Sequence, residues 1–244
     1  MLIERYFELL KQHIDALAAR TDVIEQAAHL CVEALARGGV IHVFDSGHLV
    51  SHELINRAGG LVAFSRLEFG LNVTNPVKTR EKSTSTEGNT LSYSYIEHIF
   101  ASDQLRAGDV LFVGSVSGKT ANVVELALQA RAHGLTVIVI TAMAYSPQLA
   151  SEHPSGKHLY EAADLVLDNG APFGDAMMDV EGLEYPICPA SGIGAVTLLW
   201  AVVAGMVEAM LARGMQPTVY PSVNRPEGKA LVSQVEAEAL RKGY

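Results

Sequence analysis

The stretch "VLFVGSVSGKT", residues 110–120, begins as an apolar run and ends in hydroxyls, glycines and a lysine. Its ending invites comparison with a nucleotide-binding loop. A Walker A loop places four residues between its first glycine and the Gly-Lys pair. Here three residues separate Gly114 from Gly118, and the position that would restore the spacing is Val113. The next stretch, "ANVVELALQARAHG", has helical spacing and closes at Gly134. The segment is therefore strand, tight polar turn and helix, and its spacing is not that of a nucleotide loop.

Working outward, the same grammar recurs. "VIHVF" is a short β-branched run that leads into "DSGH" and a helix-like "LVSHELINRAGG". "LVAF", residues 61–64, reads as a second strand, "TVIVITA" as a buried one and "EAADLVLDNG" as a shorter one. A helix is expected around residues 95–105, and "MMDVEGLEYPI" as a hairpin or an edge strand. Two helices open the chain: Leu2, Ile3, Tyr6, Phe7, Leu10, Ile14 and Leu17 set the first, and residues 22–36 the second, which stops at Gly38-Gly39. A long apolar helix covers roughly residues 190–211, and a last one residues 232–241. Residues 68–89 form a long polar excursion. Strands separated by helices specify an α/β fold, a doubly wound three-layer sandwich around a parallel sheet. One domain over residues 1–244 is expected, with residues 1–37 as a helical extension packed on it.

The bulk numbers narrow the function. The chain has 244 residues, 49% apolar and 18% charged, as in an ordinary globular protein. A net charge of −9, with no run of five basic residues, argues against a nucleic-acid surface. Cys31 and Cys188 lie in no metal spacing and read as buried thiols of a reducing compartment. The first twenty residues are charged throughout, unlike a signal peptide. Residues 185–207 carry no charge, but their prolines and glycines, and Glu208 and Arg213 just beyond, favour a buried or interface helix over a spanning one. A cytoplasmic protein is expected. "AVTLLWAVVAGMVEAML" has no polar stripe, so it needs cover all round, and a partner subunit is the natural cover.

In doubly wound sheets, ligands sit beyond the carboxyl ends of the strands. Two loops have the composition for that place, "FDSGH" and "GSVSGKT", each leading from a strand into a helix. Helix N-termini offer unpaired N–H groups to an anion. Ser115, Ser117 and Thr120 add hydroxyls, and Gly118 permits close backbone approach, so the second loop suits a phosphate monoester. Capping alone, with Ser117 as the N-cap, explains one hydroxyl better than three.

"SVSGKTANVVELALQARAHGLTVIVIT" resembles the second phosphate loop of SIS (sugar isomerase) domains: Ser115, Ser117, Gly118, Thr120 and Glu125 match its pattern. "SEHPSGKHLYEAADLVLDN" and "RAGGL" extend the resemblance, over nearly the whole chain, to stand-alone bacterial SIS proteins of the phosphoheptose isomerase kind. The resemblance implies a five-stranded parallel sheet, a homodimer or homotetramer, and active sites at subunit contacts. It implies that Ser46, with Gly47 beside it, meets the phosphate from the first loop, and that Glu53 in "HELINR" takes the place of a catalytic glutamate. Those enzymes add a histidine from the long C-terminal helix, and none occurs here between Ala190 and Arg213.

Aldose–ketose isomerisation moves a proton between C1 and C2 through an enediol, work suited to a carboxylate with a histidine. Glu53 is the candidate base, with His48 or His153 as acid, and Lys157 in "EHPSGK" a candidate substrate contact. His48 and His52 also have the i,i+4 spacing of a zinc pair, but spacing fixes no third ligand, and no metal or cofactor is implied. Asp45 is unusual in an anion loop: it binds a sugar hydroxyl, orients His48 or marks a substrate of different charge pattern. The expected ligand is a sugar phosphate. A phosphosugar isomerase leads; a lyase or etherase using the same enediol chemistry and a non-catalytic sugar-phosphate sensor stand as alternatives.

Overall fold

Alternation along the strands sorts their side chains into two cores. In β1 (Ile41–Asp45), β3 (Val110–Gly114) and β4 (Thr136–Thr141), residues such as Ile41, Val43, Phe112 and Ile138 face one core. Phe44, Leu111, Val113 and Val139 face the other. Strands buried on both faces need helices on both, which is the normal state of a parallel sheet. A computed structural model of the chain, describing residues 1–47, 51–70 and 93–244, has that arrangement. Five strands run in the order β2-β1-β3-β4-β5, with β2 (Phe64–Arg66) and β5 (Leu165–Asp168) at the edges, and every pairing is parallel. Asp45 is in register with Gly114, and Gly114 with Ile140, so the loops after β1, β3 and β4 leave the same edge.

One layer is built by α2 (Thr21–Ala36) and α6 (Ser191–Ala212), packed along each other, with α1 (Leu2–Ala18) against α6. A Cβ on Gly205 would stand 3.0 Å from that of Ala28, so this glycine sets how closely α6 approaches α2. The opposite layer holds α4 (Ile96–Ala101) and α5 (Ala121–Ala132). The α/β three-layer architecture and its five-stranded parallel sheet are those expected. Cys31 is fully buried in α2, and burial pushes its thiol pKa up.

Among the described residues, α6 is the one helix long and apolar enough to cross a membrane. Here Leu198, Val202, Met206 and Met210 are buried in the core it shares with α2 and the sheet. Its N-terminus is capped from a distance: the Asp175 carboxylate accepts the Ser191 amide at 2.7 Å and the Ser191 hydroxyl at 2.8 Å. Residues 177–187 lie in a hairpin, with β6 (Ala176–Met178) antiparallel to β7 (Ile187–Pro189).

The region after β1 differs from its local reading. The strand expected at residues 61–64 starts only at Phe64. Leu61 instead bridges Val219 in antiparallel sense, with the Val62 amide donating to Thr218 at 3.0 Å and the Tyr220 amide to Gly60 at 2.9 Å. The helix there, α3 (Ser51–Leu54), is short, and Asn56 comes just after it with φ 57°. α4 is likewise shorter than the eleven-residue window read from the sequence. A last helix, α7 (Gly228–Lys242), starts four residues earlier than its apolar spacing indicates.

Candidate functional site

The turn out of β3 is tied to β4 and to the chain beyond it by hydrogen bonds. The Ser115 amide donates to Ile140 at 3.0 Å, and the Val116 carbonyl accepts the Ala142 amide at 3.1 Å and the Thr141 hydroxyl at 3.0 Å. Gly118 has φ +55°, and a Cβ there would meet Ser146 Oγ, Leu159 Cβ and Thr141 Oγ1 at 3.0–3.2 Å. Its amide donates to Ser115 Oγ at 3.3 Å and its carbonyl accepts the Leu159 amide at 2.8 Å. The glycine is thus required by the protein behind the loop, and it does not line the cavity in front.

Thr120, not Ser117, is the N-cap of α5, and its hydroxyl makes no capping bond. The first amides of the helix have no intrahelical acceptor. Beside that helix end, Ser115, Ser117 and Thr120 line a cavity of about 330 Å³. Ser46 and Gly47 from the first loop also line it, so the loops after β1 and β3 meet there. Ser46 is anchored to the second loop, its amide 3.1 Å and its hydroxyl 3.2 Å from the Gly114 carbonyl. The sequence reading missed Asn122 and Tyr145, which also line the cavity. Asn122 was detectable as a polar residue in the first turn of α5, and Tyr145 as an aromatic just past the carboxyl end of β4.

The other candidates lie elsewhere. Glu53 is half-exposed, paired with Arg57 at 3.0 Å, and is not part of the cavity wall. His48 lies outside the described residues. His153 is buried, with Nε2 2.8 Å from Glu125 and Nδ1 2.7 Å from the Ser155 hydroxyl. Because Glu125 belongs to α5, this network fastens the 151–158 loop to the helix that carries the cavity. The Glu152 amide adds a bond to the Lys119 carbonyl at 2.9 Å. Lys119 turns the same way, its ammonium 2.7 Å from the Glu152 carboxylate, whose hydrogen bond and charge raise the lysine pKa. Lys157 is exposed on that loop, outside the cavity wall.

A parallel α/β sheet with two hydroxyl-bearing loops at its carboxyl edge is the frame on which the comparisons with known proteins fall. The sequence profile of the SIS domain matches residues 5–142. The chain is 33% identical over 226 residues to a UPF0309 protein of Geobacillus sp. (strain WCH70), covering 91% of this chain and 90% of that one. It is 36% identical over 207 residues to a UPF0309 protein of Listeria monocytogenes serovar 1/2a, covering 84% and 82%. The chain belongs to the SIS-domain proteins and, among them, to the UPF0309 family. Two solved structures share the fold. One is a candidate phosphosugar isomerase involved in capsule formation from Bacteroides fragilis, with TM-score 0.51, 23% identity and coverage of 86% and 92%. The other is the sugar isomerase domain of an RpiR transcription factor from Sphaerobacter thermophilus, with TM-score 0.50, 17% identity and coverage of 97% and 98%.

Proposed function

We propose that the chain binds a sugar phosphate in the cavity between its two loops and interconverts the aldose and ketose forms. The observation that carries this reading is the convergence of three hydroxyls, from Ser115, Ser117 and Thr120, with the N-terminus of α5 on one cavity. A phosphate monoester there accepts from backbone amides and hydroxyls alike, and the helix dipole offsets part of its charge. Ser46 and Gly47 close over it from the opposite wall. The sugar carbons extend away from α5, and a base removes the C2 proton of the aldose while an acid protonates O1, giving an enediol. Delivery of the proton to C1, with loss of the O2 proton, completes the ketose.

Glu53 is the base in this reading, with His48 or His153 as its acid partner and Lys157 as a further contact to the anion. Glu53 is exposed on a surface helix, which suits a site completed at a subunit contact. α6 supports the same assembly: Trp200 and Val207 are half-buried, and Ala204 and Leu211 exposed, along an apolar side that a second copy would cover. The reading includes a homodimer or homotetramer in the cytoplasm. The sensor reading retains one specific support, the ion pair that holds Glu53 on Arg57, away from the cavity wall.

Proton NMR in D2O with C5 to C7 aldose and ketose phosphates tests the choice. Isomerisation predicts loss of a C1 or C2 proton signal from one member, and Glu53→Gln slowing that exchange at least a hundredfold with binding kept within a few-fold. Line broadening without exchange in any member favours the sensor instead.

A further inference from the structure

Tyr145 differs in kind from the rest of the cavity between the two loops. Among the described residues that line it, Tyr145 is the only aromatic one, and every other side chain is shorter. The cavity, at about 330 Å³, is much larger than a phosphate group, and pockets of that size take up whole small molecules. Amides and short hydroxyls suffice for the phosphate, so the remaining space is read by the side chain that reaches furthest into it.

Tyr145 is fixed to the same frame as the hydroxyls. It lies just past β4 in a turn where its amide donates to the Ala142 carbonyl at 3.0 Å and its carbonyl accepts the Gln148 amide at 3.0 Å. The Ala142 amide donates in turn to Val116, inside the loop after β3, at 3.1 Å. The Tyr145 ring meets Phe173 edge to face, with centroids 4.9 Å apart and planes at 76°. It also packs on the buried cluster of Ala142, Ala171 and Ala190. Phe173 sits in a turn closed by the Asp175 amide on the Pro172 carbonyl at 2.9 Å, and Asp175 is the residue that caps α6. A ring gripped from several elements loses little freedom when a ligand arrives.

Two chemistries are thereby offered beside the hydroxyls. An aromatic ring gives an apolar surface to the C–H groups of a sugar, and its phenol both donates and accepts. Inorganic phosphate has no carbon to use the first. The geometry points to Tyr145 as a specificity-determining residue, its ring against the sugar carbons and its hydroxyl bonded to a sugar hydroxyl, so that the cavity takes sugar phosphates in preference to inorganic phosphate. This rests on the sugar-phosphate reading above and adds to it the residue that reads the sugar.

Calorimetric titration with C5 to C7 sugar phosphates and with inorganic phosphate, on the unaltered protein, Tyr145→Phe and Tyr145→Ala, tests the assignment. At least one sugar phosphate is expected to bind more tightly than inorganic phosphate by roughly tenfold or more, the combined effect of the ring and the hydrogen bond. Tyr145→Phe keeps the ring and should reduce that ratio about fivefold, the loss of one neutral hydrogen bond. Tyr145→Ala removes both contacts and should bring the two affinities close to each other, with inorganic phosphate bound as before. Should Tyr145→Ala unfold, Tyr145→Phe decides alone. A sugar phosphate that binds no better than inorganic phosphate, a ratio unchanged in Tyr145→Phe, or a loss shared equally by inorganic phosphate would overturn the assignment while phosphate binding between the loops stands. If neither any sugar phosphate nor inorganic phosphate binds, the sugar-phosphate reading fails and the assignment falls with it.

Discussion

The two loops at the carboxyl edge of the sheet are built to different standards. The one after β3 is held by β4 on one side, by the 151–158 loop on another, and by a glycine with no room for a side chain. The segment after β1 reaches its glutamate on a four-residue helix, where Glu53 pairs with Arg57 in solvent. Phosphate recognition needs fixed donors, because a preorganised site loses little ordering entropy on binding. In the reading proposed above, phosphate binding falls to the fixed loop and proton transfer to Glu53, whose exposed carboxylate would meet a second subunit.

The largest expected effect breaks the rigid half. Gly118→Ala puts a side chain at positive φ into three neighbours, at a cost of about 3 kcal/mol, which corresponds to a melting temperature lower by roughly 6–12 °C. A melting curve shifted by only a degree or two would mean that the loop is softer than its contacts indicate. Next, removing both hydroxyls in a Ser117→Ala, Thr120→Ala double variant should weaken sugar-phosphate binding by roughly tenfold or more for each lost bond to a charged group. The fold should keep its melting temperature within a few degrees, since Ser117 is half-exposed and the Thr120 hydroxyl makes no capping bond.

The smallest effect lies outside both loops and calibrates them. His13, on α1, touches the turn after β5, where Gly170 has no space for a side chain. Burial, and after it the charge of Arg20, lowers its pKa below the ordinary 6.5, against the opposing pull of Asp168 and Asp175. A histidine depressed in the folded state stabilises above its unfolded pKa, and that contribution is lost as pH falls through the folded value. Thermal stability should therefore decline on acidification below about pH 6.5, and His13→Gln should flatten that slope. An unchanged slope in the variant would assign the decline to other groups.

How much of this was legible in the sequence depends on how local the cause is. The strands around "VLFVG", "VIHVF" and "TVIVIT" could be read because burial on both faces leaves an unbroken apolar run, and the loop after β3 because its hydroxyls cluster within six residues. "LVAF" misled because two of its residues pair with chain more than 150 residues away, at Thr218 and Val219, and no local pattern records such a partner. The Asp175 cap on α6 was invisible for a related reason, as it acts across sixteen positions. The site was half legible. Ser46, Gly47, Ser115, Ser117 and Thr120 do come together, whereas Glu53, His153 and Lys157 stand outside the wall they form. Roles assigned to residues by motif alone carry no information on which way a side chain turns, and Lys119 shows the point: a lysine inside the loop after β3, spent on Glu152.

Binding of a sugar phosphate between the two loops is tested most directly by a backbone amide NMR titration of the isotope-labelled protein with a sugar phosphate that binds it. The largest shifts are expected on Ser46, Gly47 and the amides of residues 115–122, with little change elsewhere. Largest shifts at the cavity between Arg57, Tyr220 and Glu236, with the amides of the β3–α5 turn undisturbed, would contradict it.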